Sequence, residues 1–199
     1  MYRKTRVNIT RLFVGALIVL LLVSKSKWEE KSEAVCGVLF LTGCVLVGIA
    51  SLGRLWCSLY IAGRKTDHLV VLGPYSVSRN PLYFFSLLGG VGVGLATETF
   101  TVPIAIAAMF TFYYPFVIRH EEEKLRMHHS EEFETYFRSV PRFWPKWSLL
   151  DEPKEYIVAP KVFRRHMYSA LWFVWIVGIL ELLETFRELG VLSALLSIY

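Results

Sequence analysis

The sequence predicts an all-α fold, a polytopic membrane bundle of about five transmembrane helices with a pocket on its cytoplasmic side. Three observations carry that expectation. Hydrophobic residues make up 54% of the 199 positions and the mean hydropathy is +0.44, too apolar for an ordinary soluble domain of this size. The apolar residues are blocked into runs separated by charged connections. The Lys and Arg residues sit in those connections and form no separate basic face, so the net charge of +5 points to cytoplasmic loops and not to nucleic acid.

Residues 1–11 are basic, with Arg3, Lys4, Arg6 and Arg11, and residues 12–23 form an unbroken apolar run. Nothing after Val23 reads as a cleavage site, so this run is expected to be the first transmembrane helix, lengthened by Val7 and Ile9 with Arg11 snorkelling. After a short loop of mixed charge, residues 34–51 form a second span. Its Gly37, Gly43 and Gly48 are expected to let helices approach closely. The helical pattern continues to Ile61, with Trp56 and Tyr60 as interfacial anchors, and Gly63 breaks it. The cysteines Cys36, Cys44 and Cys57 lack CxxC spacing and read as small packing residues, neither disulfide partners nor metal ligands.

Residues 73–83, GPYSVSRNPLY, form a polar hinge leading into an apolar helix. Pro81 suits the first turn of that helix, and Asn80 then falls at its N-cap. The third span runs to about Ala96. Its GGVGVG stretch (residues 89–94) follows no strand, so it reads as helix packing, with Gly90 and Gly94 at small-xxx-small spacing. Residues 97–99 are a tight turn and residues 100–118 a fourth span, so these two helices form an antiparallel hairpin. Residues 119–125, RHEEEKL, begin where the fourth span is expected to end. Residues 121–137 keep helical spacing through Leu125, Phe133 and Tyr136. Pro141, Pro145, Pro153 and Pro160 then interrupt regular structure, and residues 168–183 form a last apolar helix, preceded by Arg164, Arg165 and His166. Residues 191–199 are too short to cross a membrane alone.

This order divides the chain into N-terminal transmembrane helices (1–62), a core of hinge, hairpin and acidic helix (63–146), and a linker with a C-terminal membrane helix (147–199). The basic connections place the N-terminus, the hinge and the acidic stretch in the cytoplasm. The hairpin therefore brings Arg79 and its neighbours to the same leaflet as Glu121, Glu122 and Glu123. A capped interfacial turn accounts for Pro74, Pro81 and Tyr83 as well as a binding site does. A solvated helix start accounts for the three glutamates equally well. His128 and His129 lack HExxH spacing and a nearby cysteine, so no metal site is expected. Ser76 and Ser78 sit in no nucleophile elbow.

Taken together, GPYSVSRNPLY, the hairpin, RHEEEKL and EEFETYFRSVPRFWP resemble the C-terminal half of the isoprenylcysteine carboxyl methyltransferases, within the wider group of phospholipid methyltransferases. The likeness covers about residues 70–145. It implies an integral, multi-pass membrane enzyme of a cell membrane or an endoplasmic-reticulum-type membrane that uses S-adenosyl-L-methionine. It implies that Tyr75, Arg79, Asn80, Pro81 and Tyr83 line the cofactor pocket with Glu121 and Glu122, and that Tyr136, Pro141 and Arg142 close it. Asn80 stands where the family commonly has a histidine. His129-Ser130 replace a Phe-Gly, Phe133 replaces a tyrosine, and the helix after Tyr168 is outside the shared core.

On this reading a glutamate, Glu121 or Glu122, takes the ligand's ammonium and Arg79 its carboxylate. Tyr75 or Tyr83 stacks on adenine or faces the sulfonium. Arg142 and Asn80 serve the acceptor as catalytic residues. The partners expected are a lipophilic small molecule or lipid and the surrounding membrane lipids. Arg164, Arg165 and His166 are placed for anionic headgroups. The sequence carries no signature of oligomeric state. The alternatives are an NADPH-dependent reductase of the sterol type and a non-enzymatic lipid-binding membrane protein.

Overall fold

The computed structural model describes residues 12, 15–21, 24–28, 31–63, 68–128, 130–191 and 196–199. Residues 15–21 are helical, and the rest of the expected first span lies mostly outside the described residues. The named elements are β1 (Ser24–Ser26), α1 (Glu33–Ile61), α2 (Pro74–Val77), α3 (Pro81–Leu95), α4 (Thr101–His128), α5 (Ser130–Ser139), α6 (Pro160–Ala170), α7 (Trp172–Glu188) and β2 (Leu196–Ile198). Among the described residues three helical stretches are long and apolar enough to cross a membrane: Glu33–Ile61, Thr101–His128 and Pro160–Glu188, the last formed by α6 and α7 in succession. At 15 residues α3 is about 22 Å long, short of a full hydrocarbon core.

The centre of the bundle is the packing of α3 against α1 and α4, and glycine makes it close. A Cβ on Gly43 would lie 2.6 Å from the Gly92 carbonyl oxygen, and one on Gly92 would lie 2.8 Å from the Gly43 carbonyl oxygen. A Cβ on Gly94 would meet the Pro103 backbone at 2.7 Å. Backbone thus touches backbone where larger residues would hold the helices apart. Gly37 and Gly48 correct the sequence expectation, since nothing lies within 4 Å of a Cβ at either position.

The polar segments gather at two ends. At one end β1 and β2 pair in parallel, Ser24 opposite Leu196. Ser26 Oγ donates to the Glu98 carbonyl at 2.7 Å, and Thr101 N donates to the Tyr199 carbonyl at 2.7 Å. The expectation for residues 191–199 considered only crossing the membrane, and part of this segment instead supplies a strand. At the other end lie the hinge, the charged end of α4, α5 and the irregular strap after it.

The fourth helix does not end at Ile118. It runs to His128, because Glu, Lys, Leu and Arg all favour helix and no glycine or proline interrupts the RHEEEKL stretch. The buried stripe of α4 therefore continues past the apolar run. Phe110, Val117, Ile118 and Glu122 are all buried, and Ile118 and Glu122 are one turn apart on the same face. The expected single helix over 121–137 is divided between α4 and α5, with His129 outside the described residues. The last helix likewise begins earlier than expected. Arg164, Arg165 and His166 lie within α6, and Leu171 separates α6 from α7.

Candidate active site

The hinge is built into the molecule through its backbone. Gly73 has φ +60°, and a Cβ there would lie 2.3 Å from the Tyr60 ring, so both conformation and space demand glycine. Its N–H donates to the Asp151 carbonyl at 2.7 Å, and Ser76 Oγ accepts from the Asp151 N–H at 2.9 Å. Lys146 N donates to the Val77 carbonyl at 2.9 Å, Ser78 Oγ to the Phe143 carbonyl at 3.0 Å, and Arg79 N to the Pro141 carbonyl at 2.9 Å. The strap over residues 141–151 thus satisfies hinge groups that no helix or strand could serve. The strap is held to α1 by Glu152, whose Oε1 accepts from Trp56 Nε1 at 2.8 Å and from the Tyr60 hydroxyl at 3.2 Å. Trp56 also stacks on Trp147, with centroids 6.2 Å apart. These two aromatics therefore have protein partners, beyond the interfacial anchoring expected of them.

The hinge and the acidic helix meet at Glu122. Its Oε1 accepts from Arg79 Nε at 3.0 Å and from Asn80 Nδ2 at 3.3 Å, and its Oε2 is ion-paired with Arg142 Nε at 3.1 Å. Asn80 is at the N-cap of α3 by position but makes no side-chain cap bond. Its amide also donates to the Arg142 carbonyl at 2.9 Å. Competing acceptors in the buried junction have taken the side chain that the sequence assigned to capping. Arg79 donates further to the carbonyls of Val140, at 3.0 Å, and Phe137, and its guanidinium lies 4.0 Å from the Phe137 ring centroid. A cation at the C-terminal end of α5 is favoured by the helix dipole. Arg79 and Glu122 are both buried, with side-chain exposures of 7% and 10%, whereas Arg142 is 43% exposed.

A cavity of about 330 Å³ opens beside this junction, lined by Glu122, Arg142, Arg119, Glu123, Arg126, Phe133, Glu134 and Phe137. Arg119 pairs with Glu123 at 3.2 Å and Arg126 with Glu134 at 2.5 Å. The cavity thus holds both signs of charge against two aromatic walls. A zwitterion with an apolar extension fits this donor and acceptor set.

Of the residues expected in the pocket, Glu122 and Arg142 line this cavity. Arg79 and Asn80 stand behind Glu122. Tyr75, Pro81 and Tyr83 do not line it: Pro81 is fully buried and Tyr83 packs edge-on against Tyr114 at 5.2 Å. Tyr136 donates through its hydroxyl to the Tyr75 carbonyl at 2.8 Å. Glu121 turns to another side of α4. It is among the groups that raise the Tyr75 phenol's pKa, after burial and the neighbouring Cys57 and Tyr136. Burial also raises the Tyr136 phenol. Sequence reasoning did not single out Arg119, Arg126, Glu134 and Phe137. Their helical periodicity with Glu122 across α4 and α5 was the available signal.

A family model of phospholipid methyltransferase matches residues 33–132, which run from α1 into α5 and include Arg79, Asn80 and Glu122. The chain is 36% identical over 183 residues to the nickel-cobalt-cadmium resistance protein NccN of Alcaligenes xylosoxydans xylosoxydans, covering 92% of this chain and 84% of that protein. It is 36% identical over 193 residues to the cobalt-zinc-cadmium resistance protein CzcN of Cupriavidus metallidurans, covering 97% and 88%. No solved structure matches.

Proposed function

Since this membrane protein belongs to the phospholipid methyltransferase family, we propose that it uses S-adenosyl-L-methionine to methylate a lipophilic acceptor, an isoprenylcysteine-type carboxylate or a lipid. The observation that carries this reading is the mixed-charge, aromatic-walled cavity anchored on Glu122. The site lies on the cytoplasmic side, in keeping with the basic connections at that end.

The bound cofactor supplies a sulfonium methyl that is already electrophilic, so the protein's task is binding, orientation and exclusion of water. Arg142, the most accessible cation touching Glu122, and Arg119 hold the carboxylate. Glu123 and Glu134 hold the ammonium. Phe133 and Phe137 exclude water from the apolar part. Glu122 is already engaged on both oxygens, so its role is to fix Arg142. Arg79 and Asn80 in turn position Glu122. No histidine lines the cavity among the described residues, which favours an acceptor that is already anionic and needs no general base.

The two relatives are named for resistance to nickel, cobalt, cadmium and zinc, and we take metal resistance as the setting of this chain's methylation of a membrane component. The test is thermal stabilisation of the purified protein by S-adenosylhomocysteine against NADPH. Stabilisation by the first alone is the expected outcome. Stabilisation by NADPH alone favours the reductase reading, and by neither, a lipid-binding protein without this chemistry.

A further inference from the structure

Arg54 is the only charged residue of α1 beyond Glu33, and it lies about 10 Å along the helix from the Ile61 end. Its guanidinium is held by neutral groups. Nη1 donates to Ser86 Oγ on α3, and Nη2 donates to Ser169 Oγ at 3.2 Å and the Ser169 carbonyl at 3.3 Å on α6. The Phe173 ring lies 5.5 Å from it, seated where a Cβ on Gly89 would come within 2.5 Å of that ring. Arg54 Nε is shut away from solvent and has no hydrogen-bond partner. No carboxylate pairs with Arg54 among the described residues.

A guanidinium keeps its charge at any ordinary pH. Set into a membrane-spanning helix, it is served by hydroxyls and one carbonyl, which supply dipoles and leave its charge open to an anion. Snorkelling is blocked because the fork is tied to two other helices. The open side is at Ser169, which is exposed and contributes the two longest of these contacts, the ones most readily exchanged. Lys161, Arg164 and Arg165 of α6 are exposed at the same end of the bundle and draw anionic amphiphiles toward it. Ser86 follows Asn80 by six positions, about 9 Å along α3, so the cation stands deeper in the bundle than the cavity beside Glu122.

We propose that Arg54 receives the anionic headgroup, carboxylate or phosphate, of a membrane amphiphile admitted sideways between α1 and α6 at Ser169. The geometry around Arg54 carries this assignment, which is independent of the methyltransferase reading.

The test is native mass spectrometry of the full-length protein in detergent with oleate, oleyl alcohol, dioleoyl phosphatidic acid and dioleoyl phosphatidylcholine. The wild type is expected to retain an anionic probe about tenfold over its uncharged or zwitterionic counterpart, and the preferred anion identifies carboxylate or phosphate. Arg54→Gln abolishes the preference and Arg54→Lys keeps part of it. Equal retention of charged and uncharged probes by the wild type overturns the proposal, as does an undiminished preference in Arg54→Gln. If Arg54→Gln does not fold, a diazirine-bearing fatty acid tests the wild type directly. It should label the segment holding Ser169 and Phe173, in competition with oleate but not with oleyl alcohol, and labelling confined to other segments overturns the assignment. S-adenosylhomocysteine stabilisation is measured in parallel. Its absence in the wild type removes the methyltransferase reading, while the lipid measurements still decide whether Arg54 binds an anion.

Discussion

Arg79 and Glu122 lie 43 positions apart in the chain and meet at 3.0 Å, both buried, at the end of the bundle where the hinge and the acidic helix come together. The contact joins α3 to α4 beyond their apolar parts. It also ties in α5, because Arg79 binds the carbonyls of Phe137 and Val140.

Breaking this pair strands a buried charge. Arg79→Ala and Glu122→Ala are each expected to destabilise the protein by about 3–5 kcal/mol. The double variant Arg79→Ala/Glu122→Ala should cost clearly less than the sum, since neither member of the pair is then left facing a missing partner. Denaturation of the four proteins in detergent, as a double-mutant cycle, checks this. Additive losses would show that the two side chains are not coupled.

Much of this junction was legible in the sequence. Pro74 and Pro81 mark the hinge, the 97–99 turn, which has no Lys or Arg, marks a hairpin, and a hairpin returns the chain to the same side. The extension of α4 to His128 is not legible in the same way, because the change from apolar to charged residues marks the end of a span while helical propensity continues unbroken. Of the three adjacent glutamates only Glu122 is buried, one turn beyond Ile118, and spacing alone does not choose it, because Glu121 stands one turn beyond Val117. Asn80's engagement with Glu122 was hidden because a cap position and a tertiary hydrogen bond use the same residue type. The pairing of residues 24–26 with 196–198 joins opposite ends of the chain, and no local pattern encodes it.

The α1–α3 contact depends on two glycines. Gly43→Ala and Gly92→Ala should each cost about 1–3 kcal/mol, because the new methyl meets backbone that cannot rotate away. Gly48→Ala, with open space around the added carbon, should be neutral or slightly stabilising through helix propensity. Melting temperatures of the three variants provide the comparison, and equal losses at all three positions would remove the close-packing account.

Tyr75 and Tyr136 give a pH dependence. Burial raises both phenols above their ordinary pKa of 10.0, so each holds its proton more tightly in the folded state. Their contribution to stability is complete below about pH 10 and is lost as the pH rises above it. Alkaline unfolding of Tyr136→Phe should therefore be less steep than that of the wild type. At neutral pH the variant should lose about 1 kcal/mol with its hydrogen bond to the Tyr75 carbonyl. Parallel alkaline limbs would exclude this titration as a source of the loss.

The central claim is that the cavity beside Glu122 holds the cofactor, and Arg142 is its most direct probe because it is half-exposed and touches both Glu122 and the cavity. The measurement is calorimetric titration of S-adenosylhomocysteine into the wild type and Arg142→Ala, with melting temperatures recorded alongside. The account predicts saturable binding by the wild type and affinity about 10- to 100-fold weaker in the variant, at a nearly unchanged melting temperature. Equal affinity in the two proteins, or no binding by the wild type, would contradict it.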